Sequence, residues 1–172
     1  GRVGDAIDAA HLLLADDPVE AAELAERLEA ANLVRRGLTK SAMAEAQAAL
    51  AADPGDPAAT VVRGDWPVGV IGLVAGRLAE ERGRPAVVGT ELDGVVRASC
   101  RSAGGFDLAA ALAAGADLLV RHGGHPGAEG FEVPTGDCYE FRVRFLALVA
   151  AGLAPAADPR PELRVDLVVP AP

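Results

Sequence analysis

The chain has 172 residues, of which 51% are hydrophobic and only 3% aromatic, and its formal net charge is −9. This length predicts one ordinary domain with a small additional segment, and the composition predicts a core of Ala, Val and Leu packed against Gly-rich elements. The negative charge argues against a broad DNA-coating surface, because such surfaces are basic. No apolar run reaches the roughly 18 residues that cross a bilayer, so we expect no membrane partner.

The start of the chain and its cysteines indicate the cellular compartment that we expect for the protein. The chain begins with Gly1-Arg2 and lacks the pattern of a secretory signal, so we expect a piece of a longer protein that is not exported. Cys100 and Cys138 show no paired spacing, which predicts neither a disulfide framework nor a zinc site. The expected compartment is therefore the reducing cytoplasm.

The first third of the chain is predicted to be helical. Asp17-Pro18 combines a helix cap with a first-turn proline, which predicts a break there and a long helix from 18 to about 51. Turn-forming residues then fill positions 53–57. We therefore predict a helical connector over 1–52 that leads into a new unit.

Strand and helix patterns alternate over 53–155, which predicts an α/β domain with a mixed sheet flanked by helices. The predicted strands are 60–63, 86–88, 95–100 and 130–133, and the predicted helices are 67–82, 107–115 and 136–152. Residues 117–120 form an apolar stretch. The last segment, 156–172, contains a period-two pattern over 161–169 that predicts one more strand.

Three glycines, Gly69, Gly72 and Gly76, lie near one face of the predicted helix 67–82. They can let the helix pack closely on the sheet, or they can expose backbone N–H groups at the helix start to an anion. We favour packing, because the G-x-G-x-x-G fingerprint of dinucleotide-binding domains is absent.

The segment 119–131 holds the most informative pattern, in which His122 and His125 flank Gly123 and Gly124. Glycine permits close approach of a ligand to the backbone, and an imidazole can donate a hydrogen bond to an anion such as phosphate. The alternative for His125 is a hydrogen-bonded turn residue. Because no Asp, Glu or Cys cluster completes a coordination sphere nearby, we predict that this chain alone binds no metal.

A second candidate anion site follows the predicted strand 95–100. Ser99 and Arg101 point to the same side of an extended strand and can reach one phosphate, with Ser102 beside them. The alternative is an Arg101–Asp107 ion pair, with the hydroxyls capping the next helix. Since the chain shows no recognisable nucleophile constellation, we expect it to hold a substrate rather than to cleave it.

Several short motifs follow one another along nearly the whole chain. They are Trp66 through Arg77, Gly83-Arg84-Pro85, Ser99-Cys100-Arg101-Ser102, Gly105-Phe106-Asp107-Leu108 and Gly123-Gly124-His125. This ordered series resembles the DHH-associated, C-terminal domain of DHH-family phosphoesterases, in the branch of single-strand-specific 5′→3′ DNA exonucleases. Each motif is weak by itself, and their order makes the resemblance specific.

The resemblance implies that a preceding Asp-His-His domain holds two Mn²⁺ or Mg²⁺ ions for phosphodiester hydrolysis, while this chain binds single-stranded DNA and is inactive alone. The helix over 18–51 would join the two domains, and 156–172 would be a linker and the first strand of an OB-fold. His125 would contact the scissile phosphate, and Ser99 and Arg101 would bind the 5′ phosphate. The implied site residues are His125 for catalysis and Ser99, Arg101, Ser102, Gly123 and Gly124 for substrate binding.

Two other functions stay open, namely a DHH-family phosphodiesterase for short oligonucleotides or cyclic dinucleotides and a non-catalytic binding or assembly module. The chain also departs from the family pattern at Pro67, Ala98 and Glu129, where a histidine, a glycine and a small residue are common. An acid at position 129 would repel phosphate if its side chain faced the site.

Overall fold

The structure is a computed structural model that describes residues 3–52 and 58–152. The predicted linker at 53–57 lies outside the described residues. The same holds for the end of the chain, 156–172, including the strand predicted over 161–169 and its assignment to an OB-fold.

Helices and strands alternate through the described part of the chain after two helices at its start. The helices are α1 (Ile7–Leu14), α2 (Pro18–Ala51), α3 (Val68–Arg82), α4 (Leu108–Ala114) and α5 (Cys138–Gly152). The strands are β1 (Thr60–Arg63), β2 (Ala86–Leu92), β3 (Val95–Arg101), β4 (Arg121–His125) and β5 (Ala128–Pro134). Short 3-10 turns cover Ala116–Leu118 and Thr135–Asp137.

The five strands form one sheet in the order β1-β2-β3-β5-β4. Strand β1 pairs with β2 in parallel, and every other neighbouring pair is antiparallel. The predicted mixed sheet flanked by helices is therefore confirmed. Parallel pairing at one end follows from the α3 crossover between β1 and β2, whereas tight turns join the antiparallel pairs β2–β3 and β4–β5.

Helices cover the sheet on both faces, because successive side chains of a strand point to opposite sides. Ala86 and Val88 of β2 face a core formed with α2 and α3, whereas Val87 faces a core formed with α4 and α5. Helix α3 packs over β2 and β3. On that face it leaves β5 and β4 uncovered.

Helix α2 begins as predicted. Asp17 caps it by accepting a hydrogen bond from the backbone N–H of Val19 at 2.9 Å, and Pro18 occupies the first turn. Its C-terminal half packs on the domain, where Trp66 Nε1 donates to Glu45 Oε2 at 2.9 Å. Although α2 has 34 residues, no helix in 3–52 or 58–152 is apolar enough over a sufficient length to cross a membrane.

The largest difference from the predicted elements is β4, which the sequence did not reveal. This strand consists of Arg, His and Gly residues and is exposed along its whole length, so it carries no hydrophobic alternation. Its pairing with β5 supplies the backbone hydrogen bonds that define it. Strands β2 and β5 are longer than predicted, and α5 begins at Cys138, after the 3-10 turn, rather than at 136.

The core between α2, α3 and the sheet can be tested by truncating a leucine. Leu78 of α3 is 0% exposed, so Leu78→Ala should lower the free energy of unfolding by about 2–5 kcal/mol through the cavity that it leaves. The control is Leu33→Ala in the exposed half of α2, where Leu33 is 67% exposed, and its effect should stay below about 0.5 kcal/mol. Urea denaturation followed by circular dichroism measures both, and equal losses would contradict this packing.

Candidate functional site

The register of β3, β5 and β4 places the polar residues of these strands in parallel rows. Residues directly opposite each other on antiparallel strands share a face, so each row crosses all three strands on the side that α3 partly covers. We call the nine residues of these rows the open face. The rows are Arg97–Glu132–Arg121, Ser99–Gly130–Gly123 and Arg101–Ala128–His125.

A groove of about 730 Å³ lies between the open face and the first turns of α3. Gly130 and Gly123 form part of its lining, so that the backbone is bare there, and Val68 and Gly69 of α3 line one side. Of the predicted site residues, this groove contacts Ser99, Arg101 and Gly123. The remaining lining residues of the open face are Arg97, Arg121, Gly130 and Glu132.

The Arg101 guanidinium is held close to Ser99. Arg101 Nη1 donates to Ser99 Oγ at 3.1 Å and to the Cys100 carbonyl at 2.6 Å. Gly72 of α3 makes this arrangement possible, because a Cβ there would lie 3.0 Å from Ser99 Oγ and 3.1 Å from Arg101 Nη2. The predicted close packing of this helix on the sheet is confirmed at Gly72, and here it serves the two candidate phosphate ligands.

Asp107 has a structural role at the start of α4. Its Oδ1 atom accepts a hydrogen bond from the backbone N–H of Ala110 at 3.0 Å and so caps the helix. The Arg101 guanidinium bonds to Ser99 and Cys100 instead of forming the alternative pair with Asp107. Arg101 therefore keeps further N–H donors at the groove.

Ser102 supports the turn between β4 and β5 rather than lining the groove. Its backbone N–H donates to the Gly127 carbonyl at 3.0 Å, and its hydroxyl donates to the Phe106 carbonyl at 2.5 Å. The N–H of Leu108 donates to the Pro126 carbonyl at 3.1 Å. These bonds fix the Pro126-Gly127 turn against the ends of β3 and α4, and a direct contact of Ser102 with substrate stays a prediction.

His125 lies on the same face as Arg101 and in the same row. Two strand spacings separate their backbones, which corresponds to roughly 10 Å. His125 Nδ1 accepts a hydrogen bond from the Gly127 N–H at 3.2 Å, which is the turn contact considered as its alternative role. Because an accepting Nδ1 carries no proton, the proton of the neutral ring is on Nε2, which is then a donor on an exposed side chain.

His122 points away from His125, since residues three apart on a strand lie on opposite faces. The two imidazoles are therefore badly placed to share a metal ion. No group of three or more potential His, Cys, Asp or Glu ligands occurs within the described ranges 3–52 and 58–152.

The two glycines of the histidine motif differ in their surroundings. A Cβ at Gly124 would lie 2.3 Å from the Ala128 carbonyl oxygen and 2.9 Å from Glu129 Cα, and Gly124 has φ +153°. A Cβ at Gly123 would meet nothing within 4 Å. Gly124 thus lets β4 approach β5, whereas Gly123 keeps the groove open.

The sequence reasoning missed the row of Arg97, Glu132 and Arg121 as a unit. Glu132 Oε1 accepts from Arg97 Nε at 2.7 Å and from Arg121 Nη2 at 2.5 Å. The hydrogen bond with Arg121 is the main reason why the pKa of Glu132 is lowered and that of Arg121 raised. The available signal was the two-residue turn Pro126-Gly127 followed by the alternation Phe131-Glu132-Val133, which is compatible with a hairpin.

A family model matches the part of the chain that holds the sheet and the groove. The DHHA1 domain model matches residues 55–151, which include the whole sheet and the groove. The chain belongs to the DHHA1 domain family. It is the DHH-associated type of domain that the motif series indicated.

Curated relatives of this DHHA1 domain carry the name single-stranded-DNA-specific exonuclease RecJ. The Bacillus subtilis protein is 35% identical over 171 residues, which are 98% of this chain and 22% of that protein. The Thermus thermophilus protein is 33% identical over 149 residues, which are 87% of this chain and 22% of that protein. The chain thus spans about a fifth of the length of these relatives.

Solved structures agree with the sequence relatives. RecJ of Thermus thermophilus in complex with Mg²⁺ superposes with a TM-score of 0.77 at 31% identity, covering 87% of this chain and 23% of that one. A structure of exonuclease RecJ bound to manganese gives a TM-score of 0.72 at 33% identity, covering 87% of this chain and 37% of that one. The fold is therefore that of part of RecJ.

Glu129 is one of the positions where this DHHA1 domain departs from the family pattern. Its side chain faces away from the groove. Glu129 is 5% exposed and lies opposite Cys100 and Gly124, on the face packed against α4 and α5. Its Oε2 atom is buried and has no hydrogen-bond partner among the described residues. Burial, with the Glu129 charge as a smaller contribution, raises the pKa of the Cys100 thiol. The acid therefore lies beneath the strand rather than in the path of an anion.

The difference between the two glycines is testable by matched substitutions. Gly124→Ala should lower the free energy of unfolding by about 1–3 kcal/mol, because the methyl group strains the backbone and collides with Ala128. Gly123→Ala should leave stability within about 0.5 kcal/mol, since its Cβ position is open. Thermal unfolding of both variants checks this, and a Gly123→Ala variant as unstable as Gly124→Ala would contradict the assignment.

Proposed function

We propose that this DHHA1 domain is the substrate-binding half of a single-stranded-DNA-specific 5′→3′ exonuclease. The observation that carries the proposal is the shared open face, where Ser99 and Arg101 line a groove with bare backbone at Gly123 and Gly130. His125 does not line this groove and lies in the row of Arg101 on the same face. The RecJ name of the relatives supports this substrate class. In the proposed division of labour, this chain positions phosphates and another domain of the same protein cleaves.

Ser99 and Arg101 are proposed to bind the 5′ phosphate of the strand. The bonds from Arg101 to Ser99 and to the Cys100 carbonyl fix the guanidinium before a ligand arrives, which reduces the entropy lost on binding. A guanidinium with free N–H donors also matches the geometry of phosphate oxygens. Because the sheet is rigid, an anchored end lies at a set distance from His125, and this accounts for cleavage from one end.

His125 is proposed to contact the scissile phosphate through its Nε2–H group. Such a donor stabilises the negative charge that develops on phosphate oxygens during hydrolysis. Two Mn²⁺ or Mg²⁺ ions in a preceding domain would activate the attacking water and stabilise the leaving oxygen. The RecJ structures with Mg²⁺ and with manganese support this cofactor class.

The domain organisation belongs to the same proposal. Residues 1–52 would connect to the metal-binding domain, 53–155 would bind substrate, and 156–172 would lead into an OB-fold that adds a platform for single strands. We place the protein in the cytoplasm, where a DNA-processing enzyme meets its substrate and where Cys100 and Cys138 stay reduced.

Removal of each of the two proposed phosphate contacts should affect a different property of the full-length protein, either kcat or the preference for a 5′ phosphate. His125→Ala should lower kcat by roughly 10²–10³-fold, because it removes a donor used in the transition state. Arg101→Ala should abolish the preference for a 5′-phosphate over a 5′-hydroxyl end. Steady-state hydrolysis of both substrates measures this, with Arg77→Ala on the exposed side of α3 as the control. Equal losses by Arg101→Ala on both ends would refute its role.

The division of labour makes a separate prediction for the 172-residue chain. Incubated with manganese and 5′-phosphorylated single-stranded DNA, it should release no nucleotides, since its described residues contain no candidate metal cluster. Denaturing gel electrophoresis of end-labelled DNA provides the measurement, and the full-length protein is the positive control. Robust cleavage by this chain alone would show that the proposed partition is wrong.

A further inference from the structure

We propose that Arg97 and Arg121, joined by Glu132, form a second anion subsite that binds another phosphate of the same polynucleotide. The inference rests on the proposed function and narrows the substrate class to oligonucleotides that extend beyond two nucleotides. It assigns a binding role to a row of residues that the 5′-phosphate and scissile-phosphate contacts do not use.

The geometry of the row leaves its cations available. The Glu132 side chain is 13% exposed, whereas those of Arg97 and Arg121 are 48% and 67% exposed. The carboxylate therefore lies low on the sheet and holds both guanidiniums by one oxygen atom. Each guanidinium has five N–H donors and gives one to Glu132, so the others remain free for a ligand on the solvent side.

The electrostatics of the row favour an anion. Two guanidiniums outweigh one carboxylate, and Glu132 is the one acid among the nine residues of the open face. The arginine hydrogen bonds lower the pKa of Glu132, so its charge persists at neutral pH and the pair stays aligned. A net positive row lining the groove of a chain with net charge −9 is a local feature that a phosphate would recognise.

Spacing distinguishes this subsite from the first one. The Arg97 row and the Arg101 row are four residues apart along β3, which is roughly 13 Å at the rise of a strand. The guanidiniums of the two rows also have different anchors, since Arg101 bonds to Ser99 and Cys100 whereas Arg97 and Arg121 bond to Glu132. Between them lie Gly130 and Gly123, which have no side chains to obstruct a connecting sugar-phosphate backbone. A ligand with several linked phosphates can therefore use both ends of the open face.

The competing explanation for the row is that its ion pairs only stabilise the sheet. The dependence of binding on ligand length distinguishes this structural role from a phosphate subsite. Equilibrium binding of a 5′-phosphorylated thymidine decamer and of the 5′-phosphorylated dinucleotide is measured by fluorescence anisotropy with the full-length protein in EDTA. Arg121→Ala and Arg97→Ala should each weaken decamer binding about tenfold and leave dinucleotide binding unchanged. The salt dependence of decamer binding should become shallower by about one unit in slope.

The matched control is Arg144→Ala in α5, where an exposed arginine also bridges two acids, Asp117 and Glu140, away from the groove. This variant should bind both ligands as the unmodified protein does. Thermal unfolding of all variants separates loss of fold from loss of contact, and Arg121→Lys, which keeps the charge, should recover part of the decamer affinity.

The subsite proposal is wrong if the arginine variants bind the decamer normally, if they weaken both ligands equally, or if the decamer binds no more tightly than the dinucleotide. Failure of the proposed function has a different signature. In that case the full-length protein with manganese does not hydrolyse 5′-phosphorylated single strands, whatever the ratio of the two affinities.

Discussion

The hydrogen-bonded register of β3, β5 and β4 is the constraint on which the candidate site depends. Arg101 and His125 lie on one face because both are opposite Ala128 in this register. A slip of one residue would turn every side chain of a strand to the other face, and the carboxylate of Glu129 would then replace bare backbone in the groove. The short turn after His125 and the bonds from Ser102 and Leu108 to that turn oppose such a slip.

Partial coverage of the sheet explains how a rigid fold also presents a site. Cores on both faces hold β2 and β3, while α3 ends its coverage before β5 and β4. Gly72 brings the helix close enough to enclose Ser99 and Arg101 on one side. The result is a groove with a fixed wall and an open side, which suits the proposed binding of a single strand beside a separate catalytic domain.

The uneven distribution of charge makes the proposed anion-binding role compatible with an acidic chain. The net charge of −9 belongs to the whole surface, whereas the open face carries Arg97, Arg101 and Arg121 against the single acid Glu132. Steering of a polyanion depends on the local field more than on the total charge. The proposed role is therefore to bind a few phosphates at defined points instead of coating DNA.

The sequence by itself determined the α/β class, the long capped helix from Pro18, most element positions and the motif series, because caps, turns and hydrophobic alternation are local signals. Only the tertiary structure revealed β4, whose exposed polar residues carry no such signal. It alone also decided that Glu129 points away from the groove and that Glu132 joins two arginines. These outcomes depend on which residues of separate strands lie opposite each other, and pairing between strands is a non-local property that no single segment encodes.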